Sequence, residues 1–253
     1  MKKFITNKYV LTILGCFLFL GIWLLISAIV GDTTMEFPDP WSTIVKTGEI
    51  LSHKYIYSCI GWTMLRMIIG FVIALISALI IGTLAGNFPV IRHILRPCIV
   101  ALKSIPTAAL VFLFLIISGA RYAPIYIVIL ISFPILYDAI VAGISNVPKE
   151  IIDAMRIDSG NHLTNILRIK LPLSIPYLLV GIASSFALSF KIEIMAEIIT
   201  GDTRNGLGSA ILAVQKNDPS NMVPIFAYSL IAIVFILLIS FFEDIIKKLV
   251  KID

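Results

Sequence analysis

Long uncharged apolar runs recur along the chain and predict membrane-spanning helices. A bilayer core about 30 Å thick needs roughly 20 apolar residues in a helix to cross it. Each run of suitable length predicts one span: residues 10–30, 67–86, 104–120, 122–144, 171–199 and 223–242. We therefore expect an all-α, polytopic membrane protein with six transmembrane helices, in which residues 1–253 form a single transmembrane domain.

The first apolar run is predicted to stay in the mature protein. Lys2 and Lys3 precede it, as positive residues precede the apolar core of a secretory signal. Such a core is about 7–15 residues long and ends at a small-residue cleavage site. Residues 10–30 form a run of 21 without a convincing site. We therefore interpret this run as a retained first helix.

Basic residues outside the spans indicate the orientation. With the N-terminus inside, 13 of them lie on the cytoplasmic side, and five lie outside, namely Lys46, Lys54, Arg121, Arg204 and Lys216. Short cytoplasmic loops carry an excess of Lys and Arg. The distribution predicts a multi-pass protein of the plasma or inner membrane with both termini in the cytoplasm.

Composition excludes several classes of function. Hydrophobic residues make up 59% of the chain and charged residues only 14%. Soluble domains have roughly a quarter of their residues charged, so this composition excludes a soluble enzyme. The net charge of +5 is spread among apolar runs, which argues against a nucleic-acid partner. The three cysteines and three histidines lack metal-ligand spacing, and no GxxxxGK[ST] sequence occurs. We expect no catalytic residue, no metal and no cofactor, with any ATP hydrolysis in a separate subunit.

The segment between the fourth and fifth spans, residues 146–172, is predicted to hold two short cytoplasmic helices. Asn146 suits the N-cap of the first, and Pro148 suits its first turn. Glu150 places negative charge at the positive end of the helix dipole. Residues 159–160 (Ser-Gly) would end this helix.

One face of the first short helix is apolar and another is polar. Ile151, Ile152 and Met155 share the apolar face at helical spacing, whereas Asp153 and Arg156 lie on the polar one. A short amphipathic helix of this kind can insert into a groove on another protein or rest on lipid headgroups. Both alternatives remain open from the residues alone.

This segment resembles the EAA loop of ABC importer permeases. Residues 153–155 (Asp-Ala-Met) stand where the family has its EAA motif, and residues 169–172 (Ile-Lys-Leu-Pro) match its Ile-x-Leu-Pro ending. The sequence departs from the pattern at two places. Ser159 holds the position of the family glycine, with Gly160 following, and Met155 replaces the second alanine.

Other motifs resemble the nitrate, sulfonate, taurine and bicarbonate branch of these permeases, and they occur in the family's order. They are residues 37–40 (Phe-Pro-Asp-Pro), 63–66 (Thr-Met-Leu-Arg) with 70–71 (Gly-Phe), 105–109 (Ile-Pro-Thr-Ala-Ala), 196–197 (Ala-Glu) and 206–208 (Gly-Leu-Gly). The branch also contains permeases for pyrimidine precursors of thiamine and for riboflavin.

The resemblance implies a type I ABC importer permease fold that forms a homodimer in the lipid bilayer. Cytoplasmic ATPase subunits would drive it, and an external solute-binding protein would deliver a sulfonate-, taurine- or nitrate-like anion, or a pyrimidine or vitamin precursor. The residues implied in ATPase coupling are Glu150, Asp153, Ala154, Met155, Arg156, Ser159, Gly160, Leu171 and Pro172.

Charged residues inside the spans are the other candidate site. Inserting an ionisable side chain at mid-bilayer costs at least about 2.5–3.5 kcal/mol on insertion scales, so each one is expected to have a binding partner or a function. Glu193 and Glu197 share one face of the fifth span, and Lys191 lies on a different face. They predict either a translocation path, with Lys191 facing an anionic substrate, or a closed salt-bridge network. Arg66 is interpreted as a helix-fixing or headgroup-facing residue, and Asp138 as a hydrogen-bond partner of a neighbouring helix.

Two alternatives to the importer follow from the same residues. A self-sufficient secondary carrier or channel would use Lys191, Glu193 and Glu197 as its ion site. The membrane component of a vitamin-uptake complex with another scaffold would also need an ATPase but no soluble binding protein.

Overall fold

The computed structural model describes residues 8–30, 37–157, 162–201 and 205–249, and the regular secondary structure within those ranges is helical. The helices are α1 (Lys8–Val30), α2 (Pro40–Ser52), α3 (Lys54–Asn87), α4 (Pro89–Ser104), α5 (Thr107–Ser118), α6 (Ala123–Ser145), α7 (Lys149–Ile157), α8 (His162–Asn165), a π-helix (Ile166–Lys170), α9 (Leu171–Thr200), α10 (Leu207–Asn217) and α11 (Val223–Leu249).

Four helical stretches of the described residues are long and apolar enough to cross a membrane. They are Lys54–Asn87, Ala123–Ser145, Ile166–Thr200 and Val223–Phe241. The pair α4 and α5 makes a fifth candidate if it is counted as one span, although the two helices are bent by 97°. In α1 the apolar stretch is the shorter Phe17–Val30. The multi-spanning fold is thus present, and the count of six spans stays a prediction.

The predicted third span differs most from the structure. It was expected over residues 104–120, but α5 has only 12 residues, or about 18 Å of helix at 1.5 Å per residue. Pro106 lies at the break between α4 and α5 and cannot donate a backbone hydrogen bond within a helix. The chain therefore turns sharply here instead of forming one straight helix.

Close packing of α3 on α6 forms one half of the core. The two helices run in the same direction, since Gly70 of α3 meets Ile125 of α6 and Gly86 meets Ile144 further along. A Cβ atom at Gly70 would lie 2.8 Å from the Ile125 carbonyl oxygen, and one at Gly86 would lie 2.9 Å from the Ile144 Cβ. Small residues allow this close approach in membrane helices.

Helix α9 packs antiparallel to α6 on the same core. A Cβ at Gly143 of α6 would lie 2.6 Å from the Ser174 Cβ near the start of α9, and one at Gly181 would lie 2.5 Å from the Ala139 Cβ. Further along α9, Phe190 is fully buried. Helices α3, α6 and α9 are therefore held at short distance by glycine contacts.

The segment 206–217, expected as an external loop, contains the half-buried helix α10. Its first five residues are buried, whereas its last turn is exposed. It packs against α3, α9 and α11. This placement brings the start of α10 to the charged residues of α9.

Asp39 caps α2 at the same end of the fold. Its carboxylate accepts hydrogen bonds from the Ser42 hydroxyl at 2.6 Å and the Ser42 backbone N–H at 2.9 Å. These bonds hold the pKa of Asp39 below its ordinary value. Pro40 follows at the first helical position, so the start of α2 is fixed by its sequence.

Candidate translocation and coupling sites

A buried ion pair joins α3 to α9. The Arg66 Nη1 donates to the Glu197 Oε1 at 2.6 Å, and the side chains are 13% and 1% exposed. Arg66 therefore binds a carboxylate inside the protein, which agrees with its interpretation as a helix-fixing residue and not with the headgroup-facing alternative. The two residues are 131 positions apart in the chain, so neither helix alone reveals the pairing.

Three further donors surround the Glu197 carboxylate and its partner. The Thr63 hydroxyl lies 2.9 Å from both carboxylate oxygens, and the Gly208 backbone N–H donates to Oε2 at 2.9 Å. The Leu207 N–H donates to the Thr63 hydroxyl at 2.8 Å. Because charged acceptors make the stronger hydrogen bonds, this carboxylate fixes the start of α10 against α3 and α9.

Arg66 also anchors the residues that lead into α10. Its Nη2 donates to the Asn205 carbonyl oxygen at 2.6 Å. A Cβ at Gly206 would lie 2.5–2.6 Å from the Glu197 carboxyl atoms, and one at Gly208 would lie 2.7 Å from the Glu197 Cβ. Only glycine at both positions lets the backbone reach the carboxylate. We call Thr63, Arg66, Glu197 and residues 205–208 the gate cluster.

Glu193 lies one turn before Glu197 and is fully buried. Neither of its carboxylate oxygens has a hydrogen-bond partner among the described residues. One turn further back, the Ser189 hydroxyl lies 2.7 Å from the Ser132 hydroxyl of α6. The buried face of α9 thus carries a series of polar groups through the apolar core.

Lys191 is exposed in the single subunit, on a different face of α9 from Glu193 and Glu197. Within the described residues the partner of Glu197 is Arg66 and not Lys191. The structure brings the two glutamates to one buried face, as their spacing predicted, but it does not bring the three charges together as a carrier's ion site would require. Asp138 of α6 pairs with Lys103 of α4, which confirms the expected contact with a neighbouring helix.

The predicted coupling residues lie at the opposite end of α9. Glu150, Asp153 and Ala154 are exposed on α7, and Met155 and Arg156 belong to the same helix. At the start of α9, Leu171 is half-buried and Pro172 is exposed. Ser159 and Gly160, expected to form the turn between the short helices, lie outside the described residues.

The boundary before α7 differs from its prediction by a few residues. Asn146 was expected to cap α7, but its backbone N–H bonds to the Ala142 carbonyl and ends α6. The carbonyl of Pro148 instead accepts the first bonds of α7, from Ile151 and Ile152. Val147, between Asn146 and Pro148, is buried and anchors the connection between α6 and α7.

We call residues 146–172, the predicted coupling loop, the coupling segment. Its last residues are continuous with α9 and hydrogen-bonded to α3. The π-helix Ile166–Lys170 runs directly into α9. The Lys170 ammonium donates to the Asn87 side-chain oxygen at 2.8 Å, at the last residue of α3. A displacement of the π-helix would therefore reach both α9 and α3.

Comparison with known proteins gives consistent matches. Residues 70–252 match the family described as binding-protein-dependent transport system inner membrane component. The chain is 25% identical over 190 residues to a probable ABC transporter permease of Brucella melitensis, covering 75% of each protein. It is 26% identical over 240 residues to the nitrate import permease NrtB of Leptolyngbya laminosa, covering 90% of this chain and 82% of that one.

A solved structure has the same fold. A chain of an amino acid ABC transporter, crystallised with histidines, superposes with a TM-score of 0.66 at 17% identity, over 79% of this chain and 96% of that one. The nitrate permease match is consistent with the branch that the motifs resemble. The chain is a transporter component and not an enzyme, and it belongs to the family of inner membrane components of binding-protein-dependent transport systems, the ABC transporter permeases.

Proposed function

We propose that this permease is the homodimeric membrane subunit of an importer for a small anion, driven by cytoplasmic ATPase subunits through α7. Two features carry the proposal: α7 exposes Glu150, Asp153 and Ala154, and the π-helix Ile166–Lys170, at the end of the same predicted coupling loop, continues directly into α9. An external solute-binding protein would deliver the anion at the other side of the membrane. Both chain termini would lie in the cytoplasm, as the distribution of basic residues predicts.

Coupling in this proposal runs along one continuous helix. Residues 166–200 form an uninterrupted helical stretch of 35 residues, about 50 Å long at 1.5 Å per residue. Its first turns belong to the coupling segment, and its last turns hold Glu197 of the gate cluster. ATPase closure that displaces α7 would therefore move the helix that anchors the gate cluster at the far side.

The anionic substrate class rests on two observations. One relative is a nitrate import permease. In this chain Lys191 is an exposed cation within a membrane-spanning helix, and a charge at that depth needs a polar surface beside it. We propose that Lys191 faces the pathway between two copies of the chain, while Glu193 and Glu197 on the buried face support the helix.

The coupling role predicts that Ala154→Arg abolishes association with the ATPase. Ala154 is exposed and its side chain has no polar atom, so the bulky charge would block docking without breaking an internal hydrogen bond. The tagged chain, purified from its own cells in mild detergent, is assayed for a P-loop subunit by mass spectrometry and for ATP hydrolysis. The unmodified chain should bring down both, and the variant neither.

Gln215→Arg is the matched control for this experiment. Gln215 is exposed on α10, at the opposite end of the fold, and the substitution adds the same side chain. It should retain the ATPase. Equal retention by Ala154→Arg and Gln215→Arg would show that α7 is not the docking element, and a native chain that purifies alone would overturn the importer proposal.

The pathway role predicts that Lys191→Met lowers anion uptake about tenfold while leaving assembly intact. A tenfold loss in affinity corresponds to about 1.4 kcal/mol, close to the contribution of one hydrogen bond to a charged group. Uptake of labelled nitrate and of a sulfonate is measured in cells that express each variant. Lys216→Met, at an exposed site on α10, is the control. Failure of the Lys191 variant to assemble would assign that residue a structural role, and unchanged uptake would place it outside the pathway.

A further inference from the structure

A basic cavity lies between the end of α3, helix α4 and helix α6. Its volume is about 630 Å³, within the range of roughly 300–1,000 Å³ that small-ligand sites occupy. Its charged and polar lining includes Arg92, His93, Arg96 and Lys103 of α4 with Tyr137 and Asp138 of α6. The proposed gate cluster and pathway residues do not line it.

Positive charge exceeds negative charge in this cavity. Asp138 is the only carboxylate of its described lining, and Lys103 already pairs with it. Arg92 donates to the Ser145 hydroxyl at 3.3 Å, a neutral partner. Arg96 has no hydrogen bond or ion pair with any described residue. Two guanidinium groups are therefore left without a counter-charge in one concave site.

Tyr137 supplies an independent observation at this cavity. The residue is 4% exposed, and its buried hydroxyl has no hydrogen-bond partner among the described residues. A buried hydroxyl without a partner costs free energy unless another group satisfies it. Tyr137 lines the cavity, so a small movement of its ring would let the hydroxyl donate to an oxyanion that the guanidinium groups also bind.

The opposite face of α4 indicates where the anion comes from. Val90 and Ile94 are 70% and 65% exposed on this short helix and do not line the cavity, and the helix bends by 97° away from α5. A helix with basic residues on one face and exposed apolar residues on another lies in the membrane interface. In the proposed orientation α4 is at the cytoplasmic leaflet, where anionic lipids concentrate and basic pockets between helices bind their headgroups.

We propose that this cavity binds the phosphate group of an anionic lipid, with Arg92 and Arg96 as its cationic ligands and the Tyr137 hydroxyl as a neutral donor. Arginine fits the proposed role because its planar guanidinium group can donate two hydrogen bonds to one phosphate. The lipid would hold α4 against the ends of α3 and α6. Neither Lys191, the gate cluster nor α7 contributes a residue to the lining of this cavity.

Lipid binding is measured by native mass spectrometry of the full chain in detergent. Phosphatidylglycerol is titrated against phosphatidylcholine, which has the same acyl chains and a zwitterionic headgroup. The unmodified chain should bind one phosphatidylglycerol in preference. Arg96→Gln should weaken that binding about tenfold, since one charged hydrogen-bond donor is lost, and Tyr137→Phe should weaken it several-fold.

Arg168→Gln is the matched control, because Arg168 is an exposed arginine on the π-helix outside the cavity. It should leave lipid binding unchanged. Inorganic phosphate is tested alone and as a competitor. Phosphate binding that Arg96→Gln removes would identify a soluble phosphate compound as the occupant of the same site. Equal binding of the two lipids without phosphate binding, or equal effects of both arginine variants, would overturn the proposal.

Discussion

Arg66→Met should lower the free energy of unfolding by about 3–5 kcal/mol, the cost of leaving one partner of a buried ion pair without its counter-charge. Arg66 also donates to the Asn205 carbonyl, so the variant would release the residues before α10 as well. The double variant Arg66→Met, Glu197→Leu should recover much of this loss, because neither member of this pair is then left as a buried charge without its partner.

Unfolding is followed in detergent by maleimide labelling of Cys59, counted on its own peptide. Cys59 is fully buried on α3, one turn from Thr63 of the gate cluster, so it reports the opening of this region. The control is Lys46→Met, which breaks the exposed Lys46–Glu49 pair. An ion pair on the surface contributes about 0–1 kcal/mol to the free energy of unfolding. An equally small effect of Arg66→Met would contradict the description of the gate cluster as a buried network.

Gly208→Ala should destabilise the fold by about 1–3 kcal/mol, the usual range for overpacking a filled core. The added methyl would contact the Ile194 carbonyl and lie 2.7 Å from the Glu197 Cβ. The start of α10 would have to shift, which breaks the Gly208 N–H bond to the carboxylate. Import should fall with stability, because α10 would lose its position against α9.

Gly61→Ala is the control for this prediction. Gly61 lies in α3, and a Cβ there has no atom within 4 Å. In a helix interior the change from glycine to alanine is worth up to about 1 kcal/mol in favour of alanine. The two glycine variants should therefore move the Cys59 labelling midpoint in opposite directions. Stabilisation by both variants would show that the close approach at Gly208 is not needed.

Hydrophobic runs predicted the straight helices well. The fourth and fifth spans, expected at residues 122–144 and 171–199, match Ala123–Ser145 and Leu171–Thr200 closely. A run of more than 20 apolar residues in a bilayer has few alternatives to a helix. The third predicted span, residues 104–120, contains α5, but that helix has only 12 residues and follows a sharp bend at Pro106. The direction of the chain after a proline depends on packing, which the hydrophobic run does not contain.

The candidate sites were predictable only in part. Helical spacing placed Glu193 and Glu197 on one face, because that geometry is local. The pairing of Glu197 with Arg66 depends on how α3 and α9 pack, and no local pattern contains it. The available signal was that Thr63, Arg66, Glu197 and residues 206–208 all occur in motifs that resemble one family. These residues meet in the gate cluster.

Helix α9 with its preceding π-helix has the form of a lever. Its glycine contacts with α6 near Gly181 lie between the two ends and would act as a fulcrum. A rod that turns about an inner point moves its two ends in opposite directions. In the proposed dimer, a push on the coupling segment toward the dimer axis would therefore draw Glu197 and α10 away from that axis, so that one mouth of the proposed pathway opens as the other closes.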